Sequence, residues 1–212
     1  MIGSHDTFTY LEPVNPVYKL FKRWWKCQCK TIDEQYDAGV RFFDIRVAWY
    51  KNEWHVAHGL ITFDLSFATI YDICLFMKEH CPDAIYRIVL ERGNKTIEAL
   101  FVAQIPDNAL NEFPLLWRMD IKSMKEWKGL FYNNDIALYK KGYKFANVNT
   151  WEPPAHELHG TVTKSNLCSI NLKEEAKKIN SNIDFFKDSN KLKQMTDSKD
   201  ELYFLDYCTN EC

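Results

Sequence analysis

The chain has 212 residues, a formal net charge of −2 and 46% hydrophobic residues. This length fits one domain with a substantial core, so we expect a single domain over residues 1–212. The near-neutral charge lacks the excess of positive charge that is typical of proteins that bind nucleic acid. A content of 26% charged and 15% aromatic residues argues against disorder. We therefore expect a folded monomer that binds no nucleic acid.

The sequence shows no export or membrane signal. No apolar run approaches the ~20 residues of a membrane-spanning helix, and the N-terminus lacks the charged-then-apolar layout of a secretory signal. We expect a cytoplasmic protein from the sequence as written, and a secreted one if a leader is missing from it. The seven cysteines match neither a disulfide framework nor a common zinc spacing, which predicts reduced thiols.

Strands and helices alternate along the chain. The first strand is short and ends at His5, and Thr31-Ile32-Asp33-Glu34 is a capping box that opens a helix, with Gly39 at its C-terminal cap. The remaining predicted elements are strands at 40–47 and 53–58, a helix capped by Ser66 and ended by Cys81-Pro82, a strand at 85–91, a helix at 95–104, strands at 129–132 and 145–150, a helix at 172–187 and a strand at 202–207.

This order is typical of an α/β protein with a parallel sheet. Seven or eight strands are compatible with a small (β/α) barrel, whose chemistry lies at the C-terminal ends of its strands. Several polar residues fall at such ends, and they are His5, Asp44, Arg46, His58, Glu91 and Asp206.

Histidine, arginine and carboxylate at these positions suit the cleavage of a phosphodiester. That reaction needs a base for the attacking oxygen, an acid for the leaving oxygen and positive charge for the phosphoryl oxygens. Two imidazoles with different carboxylate neighbours supply the base and the acid, because histidine titrates near neutral pH. An arginine fork binds two phosphoryl oxygens.

Three ordered motifs carry a family resemblance. They are Gly3-Ser4-His5-Asp6-Thr7, the run from Gln35 to Arg46 that ends Phe43-Asp44-Ile45-Arg46, and His55-Val56-Ala57-His58-Gly59-Leu60. Together they resemble the catalytic X-region of bacterial phosphatidylinositol-specific phospholipases C. The resemblance extends to about residue 91 and returns at 202–207. It implies a compact, distorted (β/α)8 barrel of the TIM type that acts on a phospholipid during transient contact with a membrane surface.

The resemblance also implies catalytic roles. His5 matches the general base, which takes the proton of the inositol 2-hydroxyl, and His58 matches the acid, which protonates the departing diacylglycerol oxygen. The carboxylates that orient these rings match Asp206 for His5 and Asp6 for His58. Arg46 would bind the phosphoryl oxygens, and Asp44, on the same strand face, would bind Arg46.

Arg46 further predicts that neither a metal nor another cofactor is needed. The eukaryotic relatives have a carboxylate among their calcium ligands at this position, and a guanidinium there disfavours a cation. Glu91 stands where the bacterial enzymes have an inositol-contacting lysine and the eukaryotic ones a calcium-binding glutamate. We expect Glu91 to accept a hydrogen bond from a sugar hydroxyl, or Arg92 to supply the missing positive charge.

Two further segments are candidates for contact with the lipid. Asn147, Asn149 and Trp151 alternate along a predicted strand and are candidate contacts for a sugar ring. The run from Tyr18 to Lys26 is basic and aromatic, which suits a lipid headgroup interface, and Trp24 or Trp25 is its predicted membrane contact.

Two other functions stay open at this stage. A metal-dependent glycerophosphodiesterase-like hydrolase uses a similar barrel, although Arg46 disfavours it. A catalytically silent module that binds phosphoinositides or membranes would keep the fold without turnover. The leading prediction is a metal-independent lyase that releases diacylglycerol and a cyclic inositol phosphate.

Overall fold

The computed structural model describes residues 2–105, 115–119, 174 and 203–205. Strands and helices are mixed along this part, as the sequence predicts, but three strands follow one another between residues 40 and 67. The strands are β1 (Ile2–Ser4), β2 (Val40–Tyr50), β3 (Glu53–His58), β4 (Ile61–Phe67), β5 (Ile85–Arg92), β6 (Leu115–Met119) and β7 (Tyr203–Leu205). The helices are a 3-10 helix (Pro16–Trp24), α1 (Ile32–Asp37), α2 (Ile70–His80) and α3 (Lys95–Ala103).

Parallel strands form the centre of one mixed sheet. β1 lies between β7 and β2, β5 pairs with β2, and β6 pairs with β5, all in parallel. The parallel order is thus β7-β1-β2-β5-β6, in which the last described strand pairs with the first. Because parallel strands end at the same edge, the residues that follow β1 and those that end β5 lie near each other.

The sheet agrees with the predicted α/β class and with adjacent strands of a barrel, whose closure is not shown by the described residues. One predicted strand differs in direction. β3 pairs antiparallel with β2 and with β4, so it forms a hairpin on the sheet rather than a parallel barrel strand. Lys51 and Asn52 make the turn with φ values of 51° and 65°, a left-handed pair that suits a tight hairpin.

The start of α2 and the number of strands differ from the sequence prediction. Ser66 does not cap α2, because it lies in β4, and the cap is Thr69, whose side chain accepts from Asp72 N. β4 and β6 were not expected from the sequence, whereas β7 confirms the core of the strand predicted at 202–207. The strands predicted at 129–132 and 145–150 lie outside the described residues, and so does the helix predicted at 172–187 apart from position 174.

The core lies between the sheet and the helices that cover it. Buried residues of β2 and of α2 belong to one hydrophobic cluster, in which Ile73, Cys74 and Met77 of α2 are fully buried. Cys27, Cys74 and Cys81 are free thiols, while Cys29 is disulfide-bonded, so the expectation of reduced thiols is wrong for Cys29. In the described part of the chain, no helix has both the length and the apolar character needed to cross a membrane.

A buried glutamine joins α1 to the end of β1. Gln35 accepts a hydrogen bond from Ser4 Oγ at 2.5 Å, and its Nε2 donates to Thr7 O at 3.1 Å and to Lys30 O at 2.7 Å. Since Gln35 is fully buried, water cannot replace these partners. The side chain therefore fixes the backbone on both sides of His5.

Replacing Gln35 with leucine should destabilise the fold. The substitution leaves a hydroxyl and two carbonyls without this partner, and each buried unsatisfied group costs about 1–3 kcal/mol. We expect the free energy of unfolding, measured by urea denaturation, to fall by at least about 2 kcal/mol. Asp37→Ala, at an exposed site on α1, is the control and should change it by less than about 0.5 kcal/mol. Equal values for the two variants would contradict the role given to Gln35.

Candidate active site

One guanidinium lies at the centre of a group of carboxylates. Arg46 Nε donates to Asp44 Oδ2 at 2.9 Å and lies 2.5 Å from Asp6 Oδ1, and Arg46 Nη1 donates to Glu91 Oε2 at 3.2 Å. Because the Nε hydrogen is directed at Asp44, the contact with Asp6 Oδ1 is ionic, and this oxygen accepts no hydrogen bond among the described residues. Asp6 and Asp44 are fully buried, so solvent screens these charges little.

Both predicted catalytic histidines contact the same carboxylate oxygen. Asp6 Oδ2 lies 3.4 Å from His5 Nδ1 and 3.3 Å from His58 Nε2. His58 therefore has the carboxylate neighbour that the sequence predicts. The contact between His5 and Asp6 was not expected, because Asp206 was the predicted partner of His5. Asp206 follows β7 directly in the chain but lies outside the described residues.

In each histidine, the ring nitrogen that does not face Asp6 contacts another group, and the two groups are of opposite kind. His5 Nε2 lies 2.9 Å from Arg46 Nη2, which can only donate, so His5 Nε2 is an acceptor and its Nδ1 carries the hydrogen. His58 Nδ1 lies 2.8 Å from Trp25 O, which can only accept, so this nitrogen carries a hydrogen. His58 Nε2 faces a carboxylate as well, and its ring thus has acceptors at both nitrogens. These contacts suit a neutral His5 and a protonated His58.

The charges of the site keep its central ion pair ionised. Burial opposes ionisation of Asp6, but the charge of Arg46 and, at acid pH, the protonated rings of His5 and His58 outweigh it and hold the pKa of Asp6 below its ordinary value of 3.8. Burial likewise opposes the charge of Arg46, but Asp6, Asp44 and Glu91 raise the pKa of its guanidinium well above the ordinary value. Asp6 is therefore a carboxylate, and Arg46 a cation, at neutral pH.

The loop after β1 is fixed by side-chain and backbone contacts. Asp6 has a φ of 46°, a left-handed conformation that aspartate tolerates, and Thr7 N donates to Asp44 O at 2.9 Å. Thr9 Oγ1 donates to Asp6 O and accepts from Cys27 N and Gln28 N. These bonds hold the loop against β2 and the 27–28 segment, so His5 and Asp6 are positioned before any ligand arrives.

A second buried arginine, Arg87 on β5, supports the site and was not identified from the sequence. Arg87 is 1% exposed, and its Nε donates to Asp44 Oδ1 at 2.9 Å. The other oxygen of Asp44 accepts from Arg46 and from Asp6 N, so Arg87 helps to orient the carboxylate that orients Arg46. The available signal was a charge in the middle of the apolar strand Ile85-Tyr86-Arg87-Ile88-Val89-Leu90.

Glu91 and Arg92 reach the site, but their contacts are with the protein itself. Glu91 accepts a hydrogen bond from Arg46 Nη1 and a second one, at 2.7 Å, from Gly59 N. Arg92 donates to Gly59 O at 2.5 Å and also to Thr62 Oγ1. Burial lowers the pKa of the Arg92 guanidinium from its ordinary value. Both residues thus have partners within the protein, and the substrate contacts predicted for them stay predictions.

Other predicted contact residues are placed as follows. Trp25 is buried, its indole Nε1 donates to Tyr18 O at 2.8 Å, and its ring packs against Phe63. This burial corrects the prediction that Trp25 contacts a membrane. Trp24 closes the 3-10 helix, but its side chain is outside the described part. The sugar contacts predicted at Asn147, Asn149 and Trp151 also lie outside the described residues.

Within the described residues, His5, Asp6 and Cys27 each offer a metal-ligand atom, and these atoms lie within 4.8 Å of one another. The charge around them does not fit a cation well, because Arg46 Nε is already 2.5 Å from the other oxygen of Asp6. His5 Nε2 also faces the same guanidinium. The positive charge of the site is thus supplied by an arginine.

Comparison with known protein sequences finds PI-PLC X domain-containing proteins. No family model matches the chain. The PI-PLC X domain-containing protein 3 of Mus musculus is 24% identical over 179 residues, which are 64% of this chain and 52% of the relative. The PI-PLC X domain-containing protein 2 of Mus musculus is 31% identical over 106 residues, 40% of this chain and 31% of the relative. The chain thus spans about half, or less, of the length of these relatives.

Solved structures show the same relationship at the level of the fold. The phosphatidylinositol-specific phospholipase C of Listeria monocytogenes superposes with a TM-score of 0.59 and 14% identity, over 98% of this chain and 87% of that one. The enzyme from S. aureus gives 0.53 and 16%, over 98% and 85%. These enzymes are TIM barrels, which supports the predicted fold. The sequence relatives named above are animal proteins, so a bacterial affiliation of this chain stays a prediction.

The lowered pKa of Asp6 predicts a dependence of stability on pH. The unfolded chain binds a proton at Asp6 more readily than the folded protein does. The contribution of Asp6 to the free energy of unfolding is therefore fully present above the ordinary pKa of 3.8, and it is lost as pH falls through the lower pKa of the folded protein. Urea denaturation of the wild type should therefore show an acid-induced loss of the free energy of unfolding. The loss should be smaller in Asp6→Asn, and parallel acid profiles for the two proteins would contradict the ionic role of Asp6.

Proposed function

We propose that this chain is a metal-independent phosphodiesterase that cleaves phosphatidylinositol or a related glycophospholipid. The products are diacylglycerol and a cyclic inositol phosphate. The observation that carries the proposal is the pair of imidazoles on one buried carboxylate, His5 with an acceptor nitrogen and His58 with hydrogens, beside the guanidinium of Arg46. The likeness to proteins named as phosphatidylinositol phospholipases supports the choice of substrate.

In the proposed reaction, the phosphoryl group binds to Arg46, and His5 Nε2 becomes the base. It takes the proton of the inositol 2-hydroxyl, whose oxygen attacks phosphorus. The bond from phosphorus to the glycerol oxygen breaks, and His58 gives that oxygen a proton, so that diacylglycerol leaves as a neutral alcohol. His5 ends protonated and His58 neutral. Asp6 stabilises the imidazolium at either stage, because its carboxylate lies beside both rings.

Arg46 supports a reaction without a metal ion. Its guanidinium contacts the carboxylates of Asp6, Asp44 and Glu91 and can present nitrogen donors to a phosphoryl group. Incubation with phosphatidylinositol vesicles in excess chelator, followed by phosphorus NMR, tests this point. A cyclic phosphate signal is expected. If the cyclic phosphate signal is absent until calcium or magnesium is added, the result would instead favour a metal-dependent hydrolase.

Each histidine should be essential for the natural substrate. His5→Ala and His58→Ala each remove a proton-transfer group, which is worth about 10²–10⁴-fold in rate. We expect both variants to lose at least about 100-fold of kcat/KM on phosphatidylinositol in chelator. His55→Ala is the control and should keep most of the activity, because His55 lies earlier on β3 and its Nδ1 contacts Phe63 O.

The outcome also separates an enzyme from a binding module. Wild-type protein that binds inositide vesicles without releasing a product, together with His5→Ala that binds them equally well, would support a catalytically silent module and contradict the proposal.

We also propose that the 3-10 helix contacts the membrane during catalysis. Its Leu20 is 81% exposed and Val17 is 56% exposed, and Lys22 lies on the same short helix. Exposed apolar side chains next to lysines suit an interface with anionic lipid. This surface takes the place of the contact that the sequence predicted for Trp25.

Replacing Leu20 should weaken binding to vesicles. Full burial of a leucine is worth about 1.5–3 kcal/mol, so Leu20→Ser should lower the vesicle partition coefficient by roughly tenfold or more. Leu75→Ser is the matched control, because Leu75 is also an exposed leucine but lies on α2. Sedimentation with phosphatidylinositol vesicles measures both. Equal loss in the two variants, or none in Leu20→Ser, would remove the 3-10 helix as the contact.

A further inference from the structure

Two consecutive residues at the end of β5 bind both backbone polar groups of one glycine. Glu91 Oε1 accepts from Gly59 N at 2.7 Å, and Arg92 Nη1 donates to Gly59 O at 2.5 Å. Arg92 Nη2 also donates to Thr62 Oγ1, across the same turn. Glu91 and Arg92 thus form a clamp on the β3–β4 turn, with an acceptor on one side of Gly59 and a donor on the other.

The turn has little packing of its own to hold it. Gly59 has a φ of 57°, and no heavy atom lies within 4 Å of the position that a Cβ would take. Leu60, the next residue, is 79% exposed. The clamp therefore supplies contacts that side-chain packing does not supply here.

The clamp also joins this turn to the centre of the site. Gly59 directly follows His58, and the second oxygen of Glu91 bonds to Arg46 Nη1 at 3.2 Å. The side chain of Glu91 is 9% exposed, so its carboxylate is largely shielded from water, whereas Gly59 itself is exposed. One carboxylate thus spans the guanidinium on β2 and the backbone beside His58.

We infer that Glu91 and Arg92 are positioning residues, which set the distance between His58 and a phosphoryl group bound to Arg46. This inference rests on the proposed function. A general acid must lie within hydrogen-bond reach of the leaving oxygen, and a displacement of about 1 Å can cost about 100-fold in rate. The clamp fixes His58 by holding the backbone that follows it, without contacting the substrate.

A change of leaving group distinguishes positioning from general stabilisation. Diacylglycerol leaves as an alkoxide that needs the proton of His58, whereas p-nitrophenolate leaves from the p-nitrophenyl ester of inositol phosphate without one. Arg92→Met should lower kcat/KM for phosphatidylinositol by at least about tenfold and that for the activated ester by less than about twofold. Arg92→Lys, which keeps a donor, should recover part of the lost rate. Equal losses on the two substrates would overturn the inference.

A measurement without turnover tests the clamp directly. Glu91→Ala removes the acceptor of Gly59 N, and Glu91→Gln keeps an amide oxygen at the same place. Amide hydrogen exchange followed by NMR should show loss of protection at Gly59, by about tenfold or more, in Glu91→Ala and retention in Glu91→Gln. Unchanged protection in Glu91→Ala would overturn the inference. Wild-type protein that cleaves neither substrate but shows this pattern would refute the proposed function while supporting the clamp.

Discussion

The ion pair between Arg46 and the buried carboxylates of Asp6 and Asp44 is the interaction on which the rest of the site depends. Asp44 comes from β2 and Asp6 from the loop after β1, so the guanidinium joins two adjacent parallel strands at their C-terminal edge. Leaving any of these charges buried alone would be expensive. The site is therefore organised by the same charges that its chemistry uses.

This arrangement gives two chemically identical side chains different environments. His5 faces a donor and His58 faces acceptors, while both contact one oxygen of Asp6. The difference arises from backbone geometry, since β1 delivers His5 next to Arg46 whereas the β2–β3–β4 hairpin delivers His58 next to the carbonyl of Trp25. The antiparallel hairpin, which departs from a regular barrel, is thus the feature that brings the second ring to the site.

Much of this site could be predicted from the sequence, because its polar residues interrupt apolar strands at their ends. His5, Asp44, Arg46 and His58 were identified from their place at predicted strand ends and from the family resemblance of their motifs, and they lie together in the structure. Arg87 was missed, since a charge within a strand gives no indication of its partner, and the hydrogen bonds of Glu91 and Arg92 to Gly59 join strands distant in sequence. Trp25 was assigned to the surface because composition does not reveal which face of a short helix packs inward.

The central claim is that the two histidines hold different protonation states before substrate arrives. Nitrogen NMR of the imidazole rings, recorded on the substrate-free protein at about pH 7, measures this directly. The account expects His5 to be neutral, with hydrogen on Nδ1 and none on Nε2, and His58 to carry hydrogen on both nitrogens. Two rings in the same protonation state, or a His5 that carries its hydrogen on Nε2, would contradict it.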